Sequence, residues 1–159
     1  MLRLDLTRRT AAVRRRLSAP GLYAFSYVAE GWALDEVEKQ GALGLTGRAS
    51  DHAWTRAVAA CGRLTLSTDA LARISAVLGI HKALRVLFTT DAEGAAWLRR
   101  PNAALPFNGH APLALITDGT PDGVLRVRRF LDAAQGGLHM APNGADSLSP
   151  WRDEDIVIL

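Results

Sequence analysis

Cysteine is all but missing from this 159-residue chain. The lone Cys61 excludes an internal disulfide, and with no partner thiol or histidine at a ligand spacing it excludes a structural metal site. No apolar run approaches the ~18 residues of a membrane span. The opening Met1-Leu2-Arg3-Leu4-Asp5 lacks the apolar stretch of a secretory signal, so a cytoplasmic protein without membrane association is expected. Absent too are a Gly-x-Ser-x-Gly nucleophile elbow, a glycine-rich phosphate loop and a cysteine set beside a histidine. His52, His81, His110 and His139 are evenly spaced, but their neighbours share no pattern, so neither a repeat nor a metal site follows. The adjacent carboxylates Asp35-Glu36 and Asp153-Glu154-Asp155 suit capping and solvation better than acid–base chemistry. An enzyme, a metal and a cofactor are all unexpected.

What is present is enough apolar material for an ordinary core, at 48% of residues. A net charge of +3 conceals an asymmetry: residues 1–16 carry six arginines against Asp5, whereas residues 138–159 carry Arg152 against four acids. A basic head and an acidic tail point to partners of opposite character, nucleic acid for the first and a cationic surface for the second, or to two solvated termini.

Helix punctuation recurs along the chain, and two-residue alternation is confined to the terminal Ile156-Val157-Ile158-Leu159, so the fold is expected to be all-α. The pattern predicts an arginine-rich helix over 6–17, broken at Ser18-Ala19-Pro20-Gly21. A second helix over 22–32 carries Leu22, Phe25, Val28 and Trp32 on one face. Asp35 and Glu38 form a candidate capping box for a helix ending at Gly44, and Ser50 or Asp51 caps the next, which ends near Gly62. This pair reads as a helix-turn-helix candidate. Ser67 then opens a helix with Leu71, Ile74 and Leu78, stopped at Gly79, and another spans 80–88. Asp91 caps a helix bearing Trp97 that Pro101 closes, and Pro112 opens a short helix. Thr120-Pro121 starts the last, with Val124, Val127 and Leu131 on one face and Gly136-Gly137 beyond it.

From residue 67 onward the chain resembles a known family. Arg73-Ile74-Ser75-Ala76-Val77-Leu78-Gly79-Ile80-His81-Lys82-Ala83-Leu84 is similar to the opening of the Xre/MbcA/ParS toxin-binding domain. Trp97-Leu98-Arg99-Arg100-Pro101-Asn102-Ala103-Ala104-Leu105 resembles its tryptophan, proline-asparagine signature, and Pro112-Leu113-Ala114-Leu115, Asp122-Gly123-Val124-Leu125 and Val127-Arg128-Arg129-Phe130-Leu131-Asp132-Ala133 follow in order. Ala19-Pro20-Gly21-Leu22 and Trp32-Ala33-Leu34 through Trp54 resemble the Xre-like N-terminal half of the same antitoxins. The resemblance implies three parts: an Xre-like helix-turn-helix-type region for DNA binding and dimerisation over 1–63, a helical toxin-binding domain over 64–137, and an extended tail over 138–159.

It further implies the antitoxin of a type II toxin–antitoxin pair, whose partner is a RES-domain toxin that uses NAD, by degrading it or by ADP-ribosyl transfer. Repression of its own operon is expected with it. The open alternative is a stand-alone basic DNA-binding regulator, separable from the first reading by co-purification with a neighbouring gene product. The DNA contacts are expected from Arg8, Arg9, Arg14, Arg15 and Arg16. Self-association is expected through the apolar face of residues 22–32. For toxin binding the candidates are Trp97, Pro101, Asn102 and Arg128, with Trp151, Asp153, Glu154 and Asp155 from a tail too apolar at its end to stay in water. That tail folds back on its own domain or crosses onto the toxin.

Overall fold

The computed structural model describes residues 10–45 and 65–136, and every regular element among them is a helix. Helix α1 (Ala11–Gly31) starts at Thr10, whose hydroxyl accepts from the Val13 amide at 3.4 Å. It does not break at Pro20 as the sequence predicts, but runs through the proline as one helix. An interior proline removes a backbone bond and costs about 3 kcal/mol. Against this, Leu22, Phe25, Val28 and Ala29 are all buried to 2% exposure or less. Each large aliphatic side chain so buried stabilises by about 1.5–3 kcal/mol. Ser18, just before the proline, is fixed as well: its hydroxyl donates to the Arg14 carbonyl at 2.6 Å and accepts from the Leu66 amide at 2.8 Å. The chain entering the second half is thereby tied to the middle of α1.

The local signals of α2 (Glu36–Leu43) act as the sequence implies. The Glu38 amide donates to Asp35 Oδ1 at 2.8 Å and the Asp35 amide to Glu38 Oε2 at 3.0 Å, while Gly44 ends the helix at φ 70. The helix expected over 51–62, with Cys61, lies outside the described residues.

Helix α3 (Thr68–Leu87) begins at Ser67, where the Ala70 amide donates to the serine hydroxyl at 3.0 Å. It too is longer than expected, because Gly79 does not stop it. A Cβ at Gly79 would lie 1.0 Å from Arg128 Nη1, so the glycine leaves room for a neighbour's side chain instead of terminating the helix. The cap of α4 (Asp91–Arg99) is Thr90, one residue before the expected Asp91, in a capping box with Glu93. Helices α5 (Pro112–Ile116) and α6 (Pro121–Gln135) both open on a first-turn proline, and the Thr120 hydroxyl accepts from Gly123.

Packing centres on α3, which meets α6 and α1 more extensively than any other helices meet, with α2 and α4 also against it. Leu22, Phe25 and Val28 of α1, Ile74, Val77 and Ile80 of α3, and Val124, Val127 and Leu131 of α6 belong to one core. The apolar face of 22–32 expected to support self-association is therefore used inside the chain: Leu22, Phe25, Val28 and Trp32 are at most 3% exposed. Tyr23 and Tyr27 point the other way, at 79% and 66% exposure.

Arg73 is buried, at 4% exposure. Its Nε donates to Asp69 at 2.7 Å and its Nη2 to the Gly119 carbonyl at 2.8 Å, which links α3 to the turn before α6. No described helix is long and apolar enough to cross a membrane.

At Gly41 the backbone of α2 rests on the next layer, since a Cβ there would sit 2.1 Å from the Thr117 carbonyl oxygen. Gly41→Ala must displace main chain and should destabilise by about 1–3 kcal/mol. Gly31, with nothing within 4 Å of a Cβ, serves as the control, and its alanine variant should gain on the order of 0.5–1 kcal/mol. Urea unfolding midpoints decide this; equal midpoints for the two variants would contradict the packing described.

Candidate functional site

Four aromatic side chains, two on helices, one just past a helix end and one in a loop, converge. Phe88 follows α3, Trp97 lies on α4, Phe107 sits in the loop over 100–111, and Phe130 lies on α6. Trp97 stacks on Phe130 with centroids 6.2 Å apart and planes at 16°, and meets Phe107 edge-on at 5.8 Å. Phe107 and Phe130 approach to 4.8 Å at 73°, and Phe88 is 6.1 Å from Trp97. Tilted and edge-on pairs at these distances add to area burial. Phe107 is buried, whereas Trp97 and Phe130 keep part of their surface in solvent.

The loop carrying Phe107 is braced by hydrogen bonds among residues 102, 104 and 107–110. Asn102 donates its amide to the His110 carbonyl at 3.1 Å and accepts from the Gly109 amide at 2.8 Å, which closes the neck. Its side-chain Oδ1 accepts from the Ala104 amide at 2.9 Å, and the Ala104 carbonyl accepts from Phe107 and Asn108. Asn108 and Gly109 adopt positive φ, 48° and 84°, a backbone that asparagine and glycine tolerate. Arg100 before Pro101 is extended, as a residue preceding proline must be, so α4 ends and the loop leaves at a fixed angle.

A second clasp orients α4. Arg99 Nη2 donates to the Trp32 and Ala33 carbonyls at 3.1 and 2.7 Å, and Arg99 Nη1 pairs with Glu38 at 3.1 Å. Orphan carbonyls at the end of α1 are satisfied by α4, and the capping residue of α2 joins the same network.

Of the residues proposed from sequence for toxin contact, Trp97, Pro101 and Asn102 fall together here. Trp97 belongs to the aromatic platform, Pro101 is exposed, and Asn102 serves as the loop's internal staple. Arg128 is placed apart, laid in the notch over Gly79, with its Nε 2.8 Å from both carboxylate oxygens of Asp132. Arg14 is half-buried and Arg15 and Arg16 are exposed in the first turns of α1. Arg8, Arg9, Trp151, Asp153, Glu154 and Asp155 lie outside the described residues.

Leu105, which closes the Trp97–Leu105 signature but is not among the contact candidates, stands 88% exposed at the loop tip. Sequence reasoning did not join Phe88, Phe107 and Phe130 into one cluster. Aromatic residues this far apart in sequence are brought together only by the helix arrangement, although each falls next to an element boundary.

His81 of α3 lies beside Tyr27 and Trp32, at 6.4 and 6.3 Å between ring centroids, and lines a cavity of about 340 Å³ with Glu30 and Asp91. Burial pushes its pKa below the usual histidine value, with Arg85 acting in the same direction and Asp91 against it. Among the described residues no three His, Cys, Asp or Glu side chains are grouped to hold a metal ion.

Residues 83–137, which contain the platform and its loop, match the model of the antitoxin Xre/MbcA/ParS C-terminal toxin-binding domain. The chain is also 37% identical over 116 residues to the uncharacterized protein y4oB of Sinorhizobium fredii (strain NBRC 101917 / NGR234). That alignment covers 73% of this chain and 84% of that protein. No solved structure matches.

A histidine whose folded pKa is lowered binds its proton more weakly in the native state than in the unfolded chain. Stability is therefore full above the unfolded value near 6.5 and falls as the pH drops through it toward the folded pKa. His81→Gln should flatten the change in thermal midpoint between about pH 7 and pH 5. An unchanged slope would show that His81 is not the group responsible.

Proposed function

We propose that this chain, whose residues 83–137 match the toxin-binding domain of the Xre/MbcA/ParS antitoxins, neutralises a RES-domain, NAD-using toxin by direct docking of that domain. The observation that carries this reading is the match over 83–137, which encloses a braced, solvent-facing aromatic platform. A surface already held in one conformation loses little entropy on binding, as an inhibitor that must hold its partner shut requires. In this reading the antitoxin acts by occlusion, and the NAD chemistry belongs wholly to the partner.

Repression of the operon is the second part of the proposal. Exposed Arg15 and Arg16, with Arg14 on the same turn, are suited to neutralising phosphates at the start of α1, and Arg8 and Arg9 extend the basic run. For the self-association such binding requires, Tyr23 and Tyr27 are the outward apolar surface of α1.

Two measurements test the first part. The product of the adjacent reading frame should deplete NAD or ADP-ribosylate protein when made alone, and should fall silent with this chain present. Asn102→Ala, which loses the hydrogen bond to Ala104, should stay folded and bind roughly fivefold more weakly, the equivalent of about 1 kcal/mol. Absence of any complex with that product would remove the antitoxin assignment.

For the operator, replacing Arg14, Arg15 and Arg16 by alanine should lower affinity and reduce the dependence of binding on salt. Unchanged affinity and slope would leave the arginines as solubilising groups.

A further inference from the structure

We propose that Leu105 is the anchor of the toxin interface, inserted into an apolar cavity of the partner whose rim carries carboxylates that meet Arg126, Arg129 and Arg100. The inference rests on the toxin-docking reading above and adds the chemistry of the surface that receives it.

A single exposed leucine ordinarily means nothing, since much of any protein surface is apolar. Leu105 differs in how it is held. Its loop is closed at the neck by two hydrogen bonds between Asn102 and residues 109–110, stapled inside by Asn102 Oδ1, and pinned from below by the buried ring of Phe107 two residues on. The neighbouring Pro106 has no backbone donor and a fixed φ, which stiffens the tip further. The side chain at the summit of this scaffold is 88% exposed. A rigid loop that lifts one leucine into water loses apolar burial without a return inside the chain. A partner cavity supplies that return, and little ordering remains to be done on binding.

The surroundings state what that cavity must look like. Pro106, Arg126, Arg129 and Phe130 line a cleft of about 290 Å³ beside the tip. A second cleft is lined by Arg100 and Glu93 with Phe88, Ala92, Ala96 and Trp97. Arg126 is about half-exposed and engages Asp122 at 2.7 Å, whereas Arg129 and Arg100 make no ion pair among the described residues. Arg100, Arg126 and Arg129 thus border the clefts beside the aromatic platform, with Glu93 and Asp122 the acids among them, so arginine is in excess. An apolar centre with a charged rim is the usual anatomy of a protein interface, and arginine and aromatic residues are the types enriched there. The charge sign selects an acidic rim on the partner, which fixes orientation and speeds encounter.

The test uses the full chain and the purified product of the adjacent reading frame, with affinity measured by calorimetry at two salt concentrations. Because Leu105 is exposed, Leu105→Ala and Leu105→Asp should keep the wild-type thermal midpoint, so a lost complex cannot be ascribed to unfolding. The alanine variant should weaken binding tenfold or more without altering the salt dependence, and the aspartate variant, which adds a charge facing the acidic rim, should weaken it further. Arg129→Ala should weaken binding less and flatten its salt dependence.

Wild-type binding that survives Leu105→Asp would overturn the inference and leave the antitoxin reading standing. So would a Leu105→Asp variant that alters only self-association, since that assigns the leucine to a second copy of this chain. No binding by the wild type would overturn both.

Discussion

Helix α3 is covered from several directions at once, and the rest of the molecule is arranged to make that covering possible. Its buried positions, from Ala70 and Ile74 through Val77 and Ile80 to Ala83 and Leu84, do not fall on one narrow stripe. Such a helix is stable in water only between partners. Helix α1 supplies one with Leu22, Phe25 and Val28, and α6 supplies another with Val124, Val127 and Leu131. The two-sided demand explains why α1 continues through Pro20 and why α3 continues through Gly79. In the first case an interrupted helix would forfeit a contiguous apolar face. In the second, a side chain at Gly79 would evict Arg128 from the α3–α6 seam.

The same arrangement builds the candidate site. Helix α4 is fixed by Arg99 to the carbonyls at the end of α1 and to Glu38 of α2, and α6 is fixed by its packing on α3. Trp97 and Phe130 are brought into stacking by these two constraints, and Phe107 then has a place to bury its ring. The loop over 102–110 is therefore shaped partly by its own hydrogen bonds and partly by helices distant in sequence. Its rigidity is inherited from the core.

What could be read in the sequence follows from the range of the forces involved. Caps and stops decided within one helical turn were legible: the Asp35–Glu38 box, Gly44, Ser67, and the first-turn prolines at 112 and 121. The apolar faces of α1 and α6 were legible too, and their residues are buried as their spacing implied. Pro20 and Gly79 were misread as breaks because local cost was weighed without the helices that repay it. Thr90 and Asp91 are adjacent competent caps, and only geometry separates them. Trp97 and Asn102 stood out as candidates, but the role of Asn102 as a staple, the isolation of Arg128 at Gly79 and the exposure of Leu105 are properties of tertiary structure. Burial of an arginine at Arg73 has no sequence signal, since it depends on Asp69 one turn earlier and on a carbonyl at Gly119 far along the chain.

In the reading proposed above, a helical toxin-binding domain presents its partner with a braced loop over an aromatic platform. Amide hydrogen exchange of this chain, alone and in complex with the product of the adjacent reading frame, addresses it directly. Amides over residues 103–108 and in the last turns of α6 should gain protection in the complex, with α2 little changed. Protection confined to α1 and α2, with residues 103–108 exchanging as fast as in the free chain, would contradict it.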